Sequence, residues 1–343
     1  MTLFDLVVEK KVKSLSIIGM AKNVGKTVTL NYLIEQSAKR NVVLGLTSAG
    51  RDGEKIDAVF GTHKPAIWVP EGTLLATARK CVVTSDARIE ILYNTEISTP
   101  LGEIIIGRTR ESGDIELAGP ATSTGIKQVI EIMKDFGGDL IIIDGALDRA
   151  SSAAPTVTDG TILSTGAAIG YSIESIIDMT KLRVELFGLE ELKNQDIRRL
   201  AAKIIQENKL GTVTNNGFET IEQGNALLSG KEISSIIDED TKAIVIGGAI
   251  TDRFMMDLID IPYLDKIYIV VKDGVKVFFE DSTYKQLKRR GIKITVLDPI
   301  NLLALTVNPY SPTGYNFDPA EFLAKIRSAM YPLPVYDVVL GRL

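Results

Sequence analysis

Cysteine, histidine and tryptophan are nearly missing from these 343 residues, which hold one of each. A lone Cys81 forbids an intrachain disulfide and fits a reducing compartment. A zinc site built from His and Cys has too few ligands to draw on, and a hydrolytic triad would rest on His63 alone. His63 lies in the turn-like stretch Gly61-Thr62-His63-Lys64-Pro65 and reads as structural or solvent-facing. A basic surplus is also lacking: 39 Lys and Arg face 44 Asp and Glu, for a net charge of −5. Nothing there offsets a phosphate backbone, so nucleic acid is not an expected partner. No apolar run approaches the ~20 residues of a membrane span, so a membrane is not expected either. The first residues carry Asp5 and no basic start before a long apolar run, so no secretory signal is predicted. The expected location is the cytoplasm. No internal repeat is visible, which removes solenoids and propellers.

What is present is alternation. The chain is 45% hydrophobic, enough for a large core, and its length suits two domains or one large α/β domain. Short apolar runs predict buried strands at Leu15–Ile18, Val42–Leu46, Leu140–Ile143, Thr161–Leu163, Ala243–Ile246, Ile267–Val271 and Lys293–Leu297. Helical patterns predict Val28–Ser37, Ile126–Phe136, Ser172–Leu186, Arg253–Ile259 and Pro319–Met330, with Gly188 as a stop after the third. This is the pattern of an α/β, doubly wound, mostly parallel sheet. Ile89–Leu117 reads as a β-hairpin insertion, with Ser112-Gly113-Asp114 as its turn signal. Leu189–Asp240 reads as polar, mostly helical and outside the sheet. Residues 1–240 are therefore expected to form a nucleotide-binding core, and 241–343 a C-terminal α/β segment that could continue the same sheet.

One stretch declares chemistry. The run Leu15–Ile18 feeds Gly19-Met20-Ala21-Lys22-Asn23-Val24-Gly25-Lys26-Thr27-Val28, and a helical pattern follows. Strand, tight glycine loop and helix together form the context of a phosphate-binding loop. Backbone N–H groups from Lys22, Asn23, Val24, Gly25 and Lys26 through Thr27 and Val28 would wrap the phosphates at the positive end of the helix. Lys26 would reach the β- and γ-phosphates, and the Thr27 hydroxyl would complete a Mg²⁺ shell. Five residues separate Gly19 from Gly25, where four is the common spacing.

Such a loop needs a carboxylate on a neighbouring strand. Leu140-Ile141-Ile142-Ile143-Asp144-Gly145 supplies Asp144 at the end of an apolar run, as a metal-holding and catalytic candidate. After the second strand, Thr47-Ser48-Ala49-Gly50-Arg51-Asp52-Gly53-Glu54-Lys55-Ile56-Asp57 offers Asp52 as a third metal and catalytic candidate. Glu54, Asp57 and Arg51 are lesser ones, and two glycines give the segment the freedom of a nucleotide-sensing switch. Gly247-Gly248-Ala249-Ile250-Thr251-Asp252 is a second strand–glycine–helix junction, read as a plain turn capped by Thr251 or Asp252. Arg108 and Arg110 alternate and so share a face, either solvated or turned to an anion or partner.

The loop Gly19 to Val28, Asp144-Gly145-Ala146 and the strand and Gly-rich turn from Thr161 to Gly170 resemble the dethiobiotin synthetase and cobyrinate amidase group of P-loop proteins. The resemblance spans about half the chain. It implies a P-loop NTPase fold with ATP and Mg²⁺ as ligands. The departures are specific. The stretch Leu46-Thr47-Ser48-Ala49-Gly50 lacks the lysine that anchors a carbamate in the synthetases, and Leu147-Asp148 replace a glycine pair. The signature lysine of the related partitioning ATPases would fall at Ala21, one position from Lys22. The whole layout is similar to the P-loop subunits of reactivating factors for cobalamin-dependent aminomutases, lysine 5,6-aminomutase among them. That likeness rests on Thr47 to Glu54, Ile244-Val245-Ile246-Gly247-Gly248-Ala249 and Asn308-Pro309-Tyr310-Ser311-Pro312. It implies an ATPase subunit working with a larger ATPase subunit and a B12-dependent aminomutase. An ATP-dependent ligase acting on a small carboxylate or amine, a nucleotide-binding module without turnover, and a homodimer stay open as alternatives.

Overall fold

The computed structural model describes residues 1–50, 67–145, 154–221 and 230–342. Contacts divide the chain into two compact units, Met1–Thr180 with Asn301–Leu343, and Lys181–Ile300.

The first unit opens with helix α1 (Leu3–Glu9), strand β1 (Ser14–Gly19), α2 (Lys26–Lys39) and β2 (Leu44–Ser48). It continues with β3 (Ile67–Val69), β4 (Leu74–Ala78), α3 (Arg79–Val83), β5 (Arg88–Thr99), β6 (Gly102–Glu111) and β7 (Gly113–Ile115). Then come α4 (Ser123–Asp135), β8 (Leu140–Asp144), α5 (Ala154–Val157), β9 (Gly160–Gly166) and α6 (Ile173–Phe187), which crosses the unit boundary. The second unit holds α7 (Gln195–Gln206), β10 (Leu210–Thr214), β11 (Gly217–Ile221), α8 (Gly230–Ser234) and β12 (Thr241–Ile246). After these follow β13 (Ile250–Thr251), α9 (Asp252–Leu258), β14 (Tyr268–Val271), β15 (Val277–Phe278), α10 (Asp281–Arg289) and β16 (Lys293–Val296). The chain then returns to the first unit with β17 (Leu302–Asn308), α11 (Pro319–Met330) and β18 (Val335–Tyr336).

Nine strands of the first unit form one sheet in the order β18-β17-β9-β1-β8-β2-β4-β6-β5. From β18 to β4 every neighbouring pair is parallel, and β6 and β5 add on antiparallel. The α/β class and the large, mostly parallel sheet are thus as the alternation predicts. From β1 the chain steps outward to β2 and β4; after β8 it crosses to β9 and later β17 on the other side. That reversal of direction falls at the β1–β8 pair, where the carboxyl ends of open parallel sheets leave a crevice. The central strands read as unbroken apolar runs because both faces are covered. Leu15, Ile17 and Ile142 pack with Leu30 and Leu33 of α2 on one face, while Ile141 and Ile143 pack with Ile126, Val129 and Met133 of α4 on the other. Each such side chain contributes roughly 1.5–3 kcal/mol by its burial.

The second unit has its own sheet, β11-β10-β12-β14-β16, with β12, β14 and β16 parallel and β10 antiparallel to both its neighbours. Its core includes Phe254, Leu258, Ile269 and Leu287.

Three expectations change. The division falls at 180/181 and 300/301, not at 240/241. Within 241–343 only β17 and β18 join the first sheet, and β12, β14 and β16 belong to the second. Leu189–Asp240 is not mostly helical, since β10 and β11 lie in it and pair into the second sheet. The long hairpin turns at Thr99–Gly102, where Gly102 adopts φ 100°, and not at Ser112-Gly113-Asp114. Gly113 and Asp114 instead begin β7, which leaves to pair with β3. Among the described residues, no helix is long and apolar enough to cross a membrane.

Candidate functional site

The loop between β1 and α2 is shaped by two glycines and an asparagine. Gly25 is the N-cap of α2 at φ 94° and Asn23 sits at φ 61°, both in the left-handed region that lets the chain turn sharply. At Gly19 a Cβ would fall 2.7 Å from Val24 Cγ2 and 2.8 Å from Lys26 Cδ. Its absence lets the loop fold back over the strand end. Val24 is buried there as the loop's apolar anchor, while Lys22 and Asn23 are exposed. Thr29 N–H, donating to Gly25 O at 2.9 Å, is the first helical bond of α2. The amides of Lys26, Thr27 and Val28 precede it, at the end of the helix that carries positive partial charge. Lys26 Nζ donates to Ala21 O at 3.1 Å, so the ammonium lies folded across the same loop.

Asp144 ends β8, the strand beside β1. It pairs in register with Ile17 of β1 and Ser48 of β2, and Gly145 N–H donates to Ile17 O at 3.0 Å. Lys26, Thr27 and Asp144 are therefore brought to the carboxyl ends of neighbouring strands at the point of reversal. Asp52, with Arg51, Glu54, Asp57 and His63, lies outside the described residues, as do Ala146, Leu147 and Asp148.

A comparison with protein-family models, curated proteins and solved structures finds no match for this chain. What the site can hold must be judged from its own donors.

Thr27 and Asp144 offer a hydroxyl and a carboxylate, the hard oxygens Mg²⁺ prefers. Among the described residues no group of three or more His, Cys, Asp or Glu could hold a metal. Mg²⁺ commonly takes one or two protein oxygens of this kind and fills the rest of its shell from phosphates and water, whereas a zinc cage draws on Cys and His.

The start of the switch-like segment is firmly held. Thr47 and Ser48 are buried, with Thr47 Oγ1 donating to Ala76 O at 2.7 Å and Ser48 Oγ to Leu117 O at 3.1 Å. Arg108 and Arg110 have structural partners. Arg108 Nη2 donates to Phe136 O at 2.7 Å, at the C-cap of α4, and Arg110 pairs with Glu90 across the hairpin. Thr251 occupies the N-cap of α9 without a side-chain cap bond, and Asp252 Oδ1 accepts from Glu280 N–H at 3.0 Å. Cys81 is buried in α3.

Sequence reading placed Asn308 in a resemblance-carrying loop but missed its contact with the glycine loop. It ends β17, and its Nδ2 donates to Asn23 O at 2.9 Å, across 285 positions. Locally, an Asn-Pro after an apolar run reads as a loop start and gives no hint of that contact.

Proposed function

We propose that this chain is a Mg²⁺-dependent ATPase of the P-loop type, acting in the cytoplasm and coupling hydrolysis to a partner protein. The observation that carries this reading is the Gly19–Gly25 loop running from β1 into α2 beside Asp144 at the end of β8. The triphosphate would lie over the loop, its oxygens facing the first amides of α2, while Lys26 leaves Ala21 O to meet the β- and γ-phosphates. Thr27 and Asp144 would hold Mg²⁺, which when bound spreads the charge that develops on the transferring phosphoryl group. Water then attacks the γ-phosphorus, the bond to the ADP oxygen breaks, and Asp52 is our candidate for orienting that water.

The partner reading is a chaperone-like reactivase subunit for a cobalamin-dependent aminomutase, and it rests on the sequence resemblance. One observation favours a switch over a ligase. At the end of β2, where a ligase would anchor a carboxylate, Thr47 and Ser48 are buried and bonded to backbone carbonyls, and no lysine lies in Thr47–Gly50. Phosphate release with and without Mg²⁺, together with pull-downs from the native cell with and without a non-hydrolysable ATP analogue, tests this. Mg²⁺-dependent release and nucleotide-dependent capture of an aminomutase support it. Turnover raised by a small carboxylate, with no protein captured, would point to a ligase instead.

A further inference from the structure

We propose that Asn308, backed by Thr306, is a positioning residue that clamps the Gly19–Gly25 loop in its phosphate-receiving shape. This rests on reading that loop as a phosphate site. The clamp comes from β17, a strand contributed by the returning C-terminal segment. Asn308 Nδ2 donates to Asn23 O at 2.9 Å and to Tyr310 O at 3.2 Å, and its Oδ1 accepts from Tyr310 N–H at 3.2 Å. The amide is thus fixed at both ends, holding the carbonyl of a residue in the left-handed conformation. A Cβ on Gly25 would sit 3.1 Å from Asn308 Cβ, so the loop and the asparagine are in close approach.

Two positions earlier on the same strand, Thr306 makes a second, buried tie. Thr29 Oγ1 donates to Thr306 Oγ1 at 2.9 Å, and Thr306 Oγ1 and Ser164 Oγ are 2.8 Å apart. Ser164 O accepts Met20 N–H at 3.0 Å. The loop is therefore held at Met20 by β9, at Asn23 by Asn308, and just beyond its end at Thr29 by Thr306. Buried hydroxyls joined in a chain have few alternative partners, so they fix geometry more than they add net stability. A donor array preset in this way binds a polyphosphate without first ordering itself.

Calorimetry on the full chain with Mg-ATP and with inorganic tripolyphosphate tests the clamp in Asn308→Ala, Thr306→Val and Thr306→Ser. The clamp predicts about a tenfold loss for both ligands in Asn308→Ala, a smaller equal loss in Thr306→Val, and recovery in Thr306→Ser. Amide exchange in the ligand-free protein should rise across residues 20–26 in Asn308→Ala while β1 stays protected. Unchanged affinity for both ligands with unchanged exchange would overturn the clamp. So would a loss confined to ATP, which would make Asn308 a base contact. A wild-type chain that binds neither ligand would overturn the phosphate reading, and the exchange rates would still decide the clamp.

Discussion

Each unit holds a run of parallel strands whose carboxyl edge carries glycine turns leading into helices, yet the two edges differ in strand order and in how their donors are used. In the first unit the strand order reverses at β1–β8. In the second, β12, β14 and β16 follow one another in a single direction, so no reversal opens a crevice between them. The use of donors differs as well. In the second unit Gly247 N–H donates to Lys209 O, Leu297 N–H to Val271 O and Asp298 N–H to Lys272 O. Asp273 turns its carboxylate inward to accept Val275 N–H at 2.9 Å. In the first unit the glycine loop brings the opening amides of α2 and a lysine to the edge where β8 ends in Asp144. A strand–glycine–helix pattern is thus only a local signal, and its two instances in this chain differ in the strand order around them.

Removing a cation from each edge should separate the two most strongly. Lys26→Ala should cost about a hundredfold or more in Mg-ATP affinity, because a charge-assisted contact to triphosphate is lost. Lys272→Ala and Lys276→Ala, at the other edge, should leave the affinity within about twofold. Calorimetry on the three variants decides, and a large loss in Lys272→Ala with none in Lys26→Ala would reverse the assignment.

A smaller effect on binding is expected from Asp144→Asn, which keeps the size and removes the charge. Phosphate release should fall on the order of a hundredfold, and the gain in ATP affinity on adding Mg²⁺ should disappear. Binding of tripolyphosphate without Mg²⁺ should persist. If Mg²⁺ raises affinity equally in the variant, Asp144 does not serve the metal.

The mildest effect concerns the second edge, where burial raises the pKa of Asp273 against the opposing pull of Lys276 and Lys272. The folded state then holds the proton more tightly than the unfolded chain. Stability from this group is full below the ordinary carboxylate range and falls as pH rises through to the raised folded value. The slope is at most about 1.4 kcal/mol per pH unit. Asp273→Asn can still accept Val275 N–H and should lack this slope in urea unfolding measured across that window. An identical slope in the variant would place its origin elsewhere.

Much of the first edge was legible because its signals are local. Leu15–Ile18, Leu140–Ile143 and Pro319–Met330 announce themselves by uninterrupted apolar runs or a helical period, and the observed elements agree within a residue or two. Strand β4, Leu74-Leu75-Ala76-Thr77-Ala78, was not legible, since leucine and alanine favour helix and only burial on both faces makes it a strand. Strands β10 and β11 are short and rich in threonine and glycine, so they read as polar rather than alternating. The return of the chain at Asn301 leaves no change in composition to mark it. The contact between Asn308 and Asn23 is a fact of tertiary structure that no window along the sequence contains.

Hydrogen–deuterium exchange of the full chain, with and without Mg²⁺ and a non-hydrolysable ATP analogue, reads both edges in one experiment. New protection is expected across residues 19–30 and around Asp144 and Asn308, with residues 247–252, 272–276 and 297–298 unchanged. Protection concentrated at those second-unit turns, with 19–30 unaffected, would show that the ligand edge had been assigned to the wrong sheet.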